Sequence, residues 1–517
     1  MEALKKNRTQ LITLAVLAFL FFTAIQGMET KDWVITVLRG LSVGAVTFLV
    51  ASGLSLILGL MDVLNLAHGE MFMVGAYVGW TVFVRPDTVV DVIPPLALLC
   101  VGLFLIPVWR VLWARWANTE WKHWAIPAGV LLVGLAILSQ TMTRFPITIW
   151  DPEQFAISPG TFALSASQGN LQIPAAVVFE SSAIVAIIGT LLGGMLVGLA
   201  ITIFQMQQQS GMVSPTIPSQ PLIIAGSVGL FGLLVHWLNT PVTNLIVNMP
   251  NTGRFFLAML VATLVGGAIG WLIERSLIRP LYDRPIYQLM LTLGLAFISV
   301  EIVRAIWGRP EFTMPKPDIF TGSGDFCPAT NIGDLIAYNC STILLFDGRI
   351  RTYNEVFVIA VGVVVLIAVW ILLQRTRIGM IIRAGVQDSE MVEALGINVR
   401  QVFTFVFALG VALATLGGVL AAPSMGLSTA MGGQLLLLAL IALAIGGLTS
   451  FPGAAAGAVL VGLLQQFLIK YGQIGIDLPF LAEPFKPSPP LVPSSTVMLM
   501  VIILLVLPNG LFGRNEG

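Results

Sequence analysis

The segment Gln374–Arg400, QRTRIGMIIRAGVQDSEMVEALGINVR, is a long polar stretch that separates two apolar segments, Val356–Leu373 and Val402–Ala422. Each of these flanking segments has about the 20 residues that a helix needs to cross the hydrocarbon core of a bilayer. A polar stretch between two such segments has to lie outside the membrane. The pattern therefore predicts two membrane spans joined by an extramembrane connector.

The middle of this connector has the pattern of a short helix. Asp388 and Ser389 suit its N-cap region, and Gly396 suits its end. Met391, Ala394 and Leu395 fall at helical spacing between them. A short amphipathic helix between two spans predicts either a docking surface for another protein or a connector that lies on the lipid headgroups.

The composition indicates the fold class. The chain has 517 residues, of which 57% are hydrophobic and 10% charged, against roughly 25% charged in soluble domains. Apolar runs of about 20 residues recur along it, which indicates helices, whereas strands of a membrane barrel alternate over roughly 10 residues. We therefore predict an all-α, polytopic integral membrane helix bundle that contacts lipid. The formal net charge of zero provides no basic surface for nucleic acid.

The apolar runs predict about fourteen spans, some of them short or re-entrant, such as Leu435–Leu448. We expect an N-terminal region at 1–84, an inserted region at 85–254 with about four extra spans and an outer loop, and a core at 255–517. The fourteen runs are Leu11–Ile25, Trp33–Leu58, Leu66–Val84, Val92–Leu112, Trp124–Leu138, Phe179–Phe204, Pro221–Leu238, Phe255–Ile273, Ile286–Trp307, Val356–Leu373, Val402–Ala422, Leu435–Leu448, Pro452–Ile469 and Val492–Leu507.

The basic residues near the ends of these runs predict the orientation. The first run is expected to be a retained helix, because no small residues stand at a plausible cleavage site after it. With the N-terminus in the cytoplasm, strict alternation places the connector 374–400 and both termini inside, in agreement with the excess of Lys and Arg there. The same alternation places the loop Gly308–Glu355 outside.

Cysteine and histidine usage restricts the chemistry. Cys327 and Cys340 lie in the predicted outer loop and can pair there if it faces an oxidising compartment. The histidines lie far apart in sequence and predict no metal site. No Gly-Lys dipeptide occurs, so the chain lacks a Walker A phosphate loop. We expect no cofactor and no enzymatic activity, and any use of ATP must come from another chain.

Polar residues interrupt a second apolar stretch, Leu54–Tyr77, LSLILGLMDVLNLAHGEMFMVGAY. Asn65, His68 and Glu70 stand at the interruption and are candidates for the translocation path. The stretch is compatible with a cytoplasmic turn closed by helix caps. It is also compatible with a broken helix whose polar groups border the path of a solute.

Five motifs, in this order and spacing, resemble the permeases of branched-chain amino acid ABC importers. The resemblance covers roughly Trp33–Val84 and Phe255–Arg514, and the region 85–254 departs from it, because typical members have only a short link there. The motifs are GLSLILGLMDVLNLAHGEMFMVGAYVG, IERSLIRPLYDRP, RTRIGMIIRAGVQDSEMVEALGINVRQVFTFVFALGVALATLGGVLAAP, GGLTSFPGAAAGAVLVGLLQQFL and LPNGLFGR.

The resemblance implies an importer in a bacterial inner membrane that works by ATP-driven alternating access. Its expected partners are a second related permease subunit forming a heterodimer, two cytoplasmic ATPase subunits, and a periplasmic or lipid-anchored solute-binding protein. The implied ATPase-coupling residues are Asp388, Glu390, Met391, Glu393, Ala394, Leu395, Gly396, Ile397 and Asn398. Related permeases that import urea or short-chain amides leave the solute open, and an ion-coupled carrier is the alternative from another class.

Overall fold

The structure is a computed structural model of the chain. It describes residues 15–16, 28–114, 125–142, 145, 183–208, 219–282, 284–308, 311, 313–387, 389–476 and 483–513, and the side chains of 207–208, 386–387 and 389–390 are not described. The described residues fall into two compact units. The first contains the described residues up to Trp80 and from Asn251 onward, and the second contains those between Thr81 and Pro250. The predicted run Leu11–Ile25 lies almost wholly outside the described residues.

Eighteen α-helices, numbered in chain order, make up most of the described residues. They are α1 Thr30–Met61, α2 His68–Val84, α3 Pro86–Phe104, α4 Ile106–Ala114, α5 Ala125–Met142, α6 Ala183–Gln208, α7 Ser219–Trp237, α8 Asn239–Val247, α9 Asn251–Ile273, α10 Pro285–Trp307, α11 Ile332–Ala337, α12 Val358–Arg375, α13 Arg377–Gln387, α14 Ser389–Ala394, α15 Val399–Met425, α16 Met431–Gly446, α17 Phe451–Ile474 and α18 Leu491–Val506.

The described residues also contain short helical turns and one β-hairpin. Single π-helical turns at Glu274–Ile278 and Thr352–Phe357 adjoin α9 and α12, and 3-10 turns lie at Arg279–Leu281 and Asp318–Phe320. The one sheet of the described part of the chain is an antiparallel hairpin of β1, Thr342–Leu345, and β2, Gly348–Arg351, in which Thr342 pairs with Arg351.

The prediction of an all-α polytopic bundle is confirmed. Within the described residues, ten helices are long and apolar enough to cross a membrane. Every predicted apolar run after the first coincides with a helix, but α2 has 17 residues and α16 and α18 have 16 each. These three lie at or just below the about 17 residues that a span needs. Together with the run Leu11–Ile25, which lies almost wholly outside the described residues, they account for the difference between ten long helices and fourteen predicted runs.

The core of the first unit forms around α1, which packs against α15 and α17. Glycines permit this close packing: a Cβ on Gly53 would overlap the backbone of Gly410 on α15, and a Cβ on Gly418 would overlap the carbonyl oxygen of Phe72 on α2. Apolar helices in a bilayer gain little from hydrophobic burial, so they associate through this close van der Waals contact between small residues.

Several helices of the first unit keep an apolar face exposed. On α10, Ile286, Met290 and Phe297 are 68%, 67% and 67% exposed. Contiguous exposed apolar surface of this kind is not tolerated in water, whereas it is the normal surface of a membrane protein towards lipid or a membrane partner. The exposure pattern therefore supports an integral membrane protein independently of helix length.

The second unit contains α3 to α8 and is held together by its own polar contacts. Arg85 donates from Nε and Nη2 to the Asp87 carboxylate at 3.0 and 2.8 Å, and both side chains are buried. Asn239 donates to Asp91 at 2.7 Å. A bidentate arginine–carboxylate pair satisfies two buried charges together. The unit also has a buried apolar cluster formed by Leu98, Phe145 and Ala186, and its described residues belong to the predicted insertion 85–254 except for Thr81–Val84.

Candidate functional site

The connector between α12 and α15, residues 374–400, forms two short helices. The predicted one is confirmed as α14, Ser389–Ala394, which ends at Gly396 with a positive φ of 81°. The amides of Leu395, Gly396 and Ile397 bond back to the carbonyls of Met391, Glu393 and Val392. A left-handed residue after a helix is adopted most cheaply by glycine, so Gly396 sets where the chain turns.

Two apolar side chains of the connector project outward. Met391 is 60% exposed and Leu395 is 73% exposed, with Ala394 exposed on the same face, while Val392 is 4% exposed and faces the protein. Positions i, i+3 and i+4 lie together on one side of a helix. The buried Val392 fixes which face of α14 is presented, and that face is apolar.

The polar rim of this surface is described in part. Glu393 is exposed beside the apolar face, Ile397 is half-buried, and Asn398 begins the next span by accepting a bond from the Gln401 amide at 3.2 Å. Asp388 lies outside the described residues, and so does the side chain of Glu390.

The connector also contains a helix that we did not predict, α13. Thr376 begins it by accepting from the Gly379 amide at 3.1 Å, and Arg383 donates back to the Leu373 carbonyl and to Gln374 Oε1, the latter at 3.2 Å. Thr376 therefore caps the turn between α12 and α13, and Asn398 caps the start of α15 after α14.

The polar interruption at 62–67 is a break between α1 and α2. Asp62 adopts the left-handed conformation with φ 52°. Asn65 then closes a turn: its Oδ1 accepts from the Ala67 amide at 3.1 Å and its carbonyl from the His68 amide at 3.2 Å. The turn-and-cap interpretation and the broken-helix interpretation therefore describe the same local geometry.

Asn65, His68 and Glu70 are all buried, at 0%, 0% and 8% exposed. His68 Nε2 lies 3.2 Å from the Val50 carbonyl of α1, and a Cβ on Gly53 of the same helix would lie 2.9 Å from that nitrogen. One Glu70 oxygen lies 2.5 Å from the Cβ position of Gly432, in the first turn of α16. The positive end of that helix dipole favours a carboxylate there.

These buried groups are incompletely bonded. Asn65 Nδ2, His68 Nδ1 and Glu70 Oε2 have no hydrogen-bond partner among the described residues. A buried polar atom without a hydrogen-bond partner raises the free energy of the folded protein. In membrane segments, such polar residues indicate functional positions. The structure buries all three predicted residues, with His68 against α1 and Glu70 against α16, and places none of them at the cavity within the first unit.

A cavity of about 390 Å³ lies within the first unit. Its volume falls in the range of about 300–1,000 Å³ that is typical of small-molecule sites. It is lined by segments of α1, α12, α15, α16 and α17 and by the turn before α12: Arg39, Ser42, Val43, Val46, Thr47, Arg351, Asn354, Glu355, Val358, Leu420, Ala421, Ser424, Met425, Leu435, Leu438, Gln465 and Gln466. The predicted translocation-path residues Asn65, His68 and Glu70 are not among them.

Charged residues meet at this cavity. Arg39 Nε donates to Glu355 Oε1 at 3.1 Å, and Ser424 donates to Asn354 Oδ1 at 2.9 Å. Arg39 and Glu355 are 316 positions apart, so no local pattern could have paired them. The nearest signal in the sequence was the presence of Arg349 and Arg351 in a loop predicted to lie outside, where basic residues are unfavoured.

The loop between α10 and α12 carries the predicted cysteine pair. A disulfide joins Cys327 and Cys340, whose Cα atoms are 5.5 Å apart. It closes a loop beside the β1–β2 hairpin, and Thr352 Oγ1 donates to the Cys340 carbonyl at 2.9 Å. No group of histidine, cysteine and acidic residues suited to a metal ion occurs among the described residues.

Together the apolar helices, the capped extramembrane connector and the partly polar cavity define a multi-pass membrane protein of the transport class. Residues 193–507 match the family described as the branched-chain amino acid transport system permease component. Since this is more than half of the chain, the protein belongs to that family. Family members are transport components rather than enzymes.

Individual relatives agree with this assignment. The chain is 26% identical over 257 residues to the high-affinity branched-chain amino acid permease LivH of Salmonella typhimurium, covering 49% of this chain and 73% of that protein. It is 24% identical over 261 residues to BraD of Pseudomonas aeruginosa, covering 50% and 75%. A fructose import permease, FruF of Bifidobacterium longum, is 32% identical over 124 residues, 22% and 34% of the two chains. No solved structure matches significantly.

Proposed function

We propose that this chain is the permease subunit of an ATP-driven importer that moves branched-chain amino acids into the cytoplasm. The observation that carries the proposal is the family match over 193–507. The similarity to two permeases named for branched-chain amino acids, over about three quarters of their length, supports that solute class. The fructose permease shares a much shorter stretch and is weaker support for a sugar.

The exposed face of α14 is the proposed contact with an ATPase subunit. Met391 and Leu395 are the proposed apolar anchors, and Glu393 is the proposed polar residue beside them. A few central residues carry most of the binding energy of a protein–protein interface. The energy source has to be a partner chain, because the sequence contains no phosphate-binding loop of its own.

The remaining proposed partners follow from the same mechanism. A related permease subunit completes the pathway across the membrane, and a periplasmic or lipid-anchored solute-binding protein delivers the amino acid to the outer side. We propose that the chain lies in a bacterial inner membrane with both termini in the cytoplasm. In this orientation the disulfide between Cys327 and Cys340 faces the oxidising compartment, where such bonds persist.

The solute is tested by uptake into vesicles that contain the assembled transporter and its binding protein. We expect saturable uptake of leucine, isoleucine and valine that requires ATP. Calorimetry of the cognate binding protein should show leucine binding and no response to urea or fructose. Uptake of urea or fructose without leucine would overturn the assigned solute and leave the permease family assignment intact.

The buried group Asn65, His68 and Glu70 is proposed to border the translocation path or to control its closure. We expect His68→Ala to lower the leucine uptake rate about tenfold, equivalent to about 1.4 kcal/mol. A buried polar side chain that lacks a hydrogen-bond partner lowers the stability of the fold, and its presence in a membrane segment therefore indicates a role in transport. Asn65→Ala additionally removes a helix-start bond worth about 1 kcal/mol. Uptake is measured per folded molecule.

Ser52→Ala is the matched control for these variants. Ser52 is also fully buried in the first unit and donates only to the Leu49 carbonyl at 3.0 Å. Its replacement should change uptake little. If His68→Ala transports at the control's rate, then the group serves the turn between α1 and α2 and has no part in transport.

A further inference from the structure

The cavity beside Arg39 has an unequal distribution of charge. Arg39 and Arg351 both line it, and Glu355 is its one acidic lining residue. The Glu355 carboxylate is 2% exposed and fully engaged, because Oε1 accepts from Arg39 Nε at 3.1 Å and Oε2 accepts from the backbone amide of Arg351. The cavity therefore carries an excess of positive charge after its internal pairing is complete.

Arg39 remains capable of binding a second acceptor. Its side chain is 46% exposed, and its contact with Glu355 uses Nε. Among the described residues, no hydrogen bond to either terminal nitrogen of Arg39 is present. A guanidinium presents its donors as a planar fork that matches a carboxylate. Glu355 thus binds the Nε edge of the guanidinium, and the two terminal nitrogens of Arg39 remain available for the carboxylate of a ligand.

Neutral polar groups lie in the same cavity. Thr47 Oγ1 is fully buried and has no hydrogen-bond partner among the described residues. Asn354 Oδ1 accepts one bond, from Ser424 at 2.9 Å, and a carbonyl oxygen can accept a second. Gln465 and Gln466 also line the cavity. These oxygens are acceptors for a group with several N–H donors, such as an ammonium.

Most of the rest of the lining is aliphatic. Val43, Val46, Val358, Leu420, Leu435 and Leu438 belong to four different helices that converge on the cavity. A small site of this kind binds the apolar part of a ligand by burial, and a few placed polar groups orient it. The cavity thus suits a small molecule with an anionic group, hydrogen-bond donors and a branched apolar end.

We propose that this cavity is an amino-acid subsite in which Arg39 binds the α-carboxylate, the oxygens of Thr47 and Asn354 accept from the α-ammonium, and the aliphatic lining holds the side chain. Glu355 is a positioning residue that orients Arg39. This assignment rests on the proposed function for the class of solute, and the carboxylate–arginine contact is its new element.

The cavity is tested with a reporter thiol in the full transporter, without the solute-binding protein. Ser42→Cys places the thiol in the lining, and its alkylation rate by a maleimide is followed at increasing leucine. We expect leucine to slow alkylation. Arg39→Gln should raise the half-protecting leucine concentration by at least about tenfold, because hydrogen bonds between charged groups are among the strongest that proteins make.

Two ligand analogues identify the group that Arg39 binds. Leucinol, which lacks the carboxylate, should protect poorly in either background. 4-Methylpentanoate, which lacks the ammonium, should retain part of the protection and lose it with Arg39→Gln. Lys470→Gln is the matched control, because Lys470 on α17 pairs with Asp32 on α1 at 2.9 Å but does not line the cavity; it should leave protection unchanged.

The outcomes separate this inference from the proposed function. If the unaltered transporter takes up leucine but leucine protects Ser42→Cys equally with and without Arg39, the subsite is wrong and the function stands. If leucine is not transported while 4-methylpentanoate protects in an Arg39-dependent manner, the carboxylate site stands and the assigned solute is wrong. Equal protection by leucinol and leucine would overturn the carboxylate contact.

Discussion

Replacement of Leu395 by aspartate is expected to abolish ATP-dependent uptake and to leave membrane insertion intact. Leu395 is 73% exposed, so the charge costs the isolated subunit almost nothing. In the proposed complex the same side chain enters an apolar groove of an ATPase subunit, where an unpaired carboxylate is strongly unfavourable. A loss of several kcal/mol, on the order of 2–4, is typical of a central interface residue.

The measurement is recovery of the ATPase subunits with the tagged permease, together with the rate of ATP hydrolysis. Ile336→Asp is the matched control, since Ile336 is 70% exposed on α11 in the loop predicted to face outside. It introduces the same charge without touching the connector. Normal recovery and hydrolysis with Leu395→Asp would remove α14 from the proposed contact.

The second large effect is expected for Gly418→Val, which should prevent accumulation of folded protein. A Cβ at Gly418 would overlap the carbonyl oxygen of Phe72, and backbone atoms cannot rotate away as a side chain can. The helices α2 and α15 would have to separate, and overpacking of this kind costs about 1–3 kcal/mol or more. Size-exclusion chromatography in detergent and thermal unfolding measure the loss.

Gly294→Val provides the comparison for that variant. Gly294 lies inside α10, and a Cβ there meets no described atom within 4 Å. The same change in volume should therefore leave the yield of folded protein close to that of the unaltered chain. Equal behaviour of the two valine variants would show that the packing of α2 against α15 does not depend on the absence of a side chain at Gly418.

Features set by local chemistry could be predicted from the sequence. The apolar runs identified the helices because length and hydropathy alone decide whether a segment can span a bilayer. The helix α14 could be placed because Gly396 ends it, and the break at Asn65 because polar residues interrupt an apolar run. Each of these structures is determined by residues that lie within it or next to it in the sequence.

Other features could not be predicted because their cause lies elsewhere in the fold. The helix α13 begins at the cap formed by Thr376, but Arg383 also bonds back to the end of α12, and that contact depends on how the two helices are placed. The cavity depends on Arg39 and Glu355, which are far apart in sequence and meet only after α1 packs beside the start of α12. An all-apolar helix also does not show which face lines a cavity.

The central claim is that this chain moves branched-chain amino acids by using a partner's ATP hydrolysis. The most direct measurement is labelled leucine uptake into vesicles that contain the full transporter and its binding protein, with ATP supplied on the ATPase side and no ion gradient. We predict uptake that stops when ATP is replaced by a non-hydrolysable analogue and when Leu395→Asp is introduced. Leucine uptake by the purified chain alone, driven by a proton or sodium gradient, would contradict the claim.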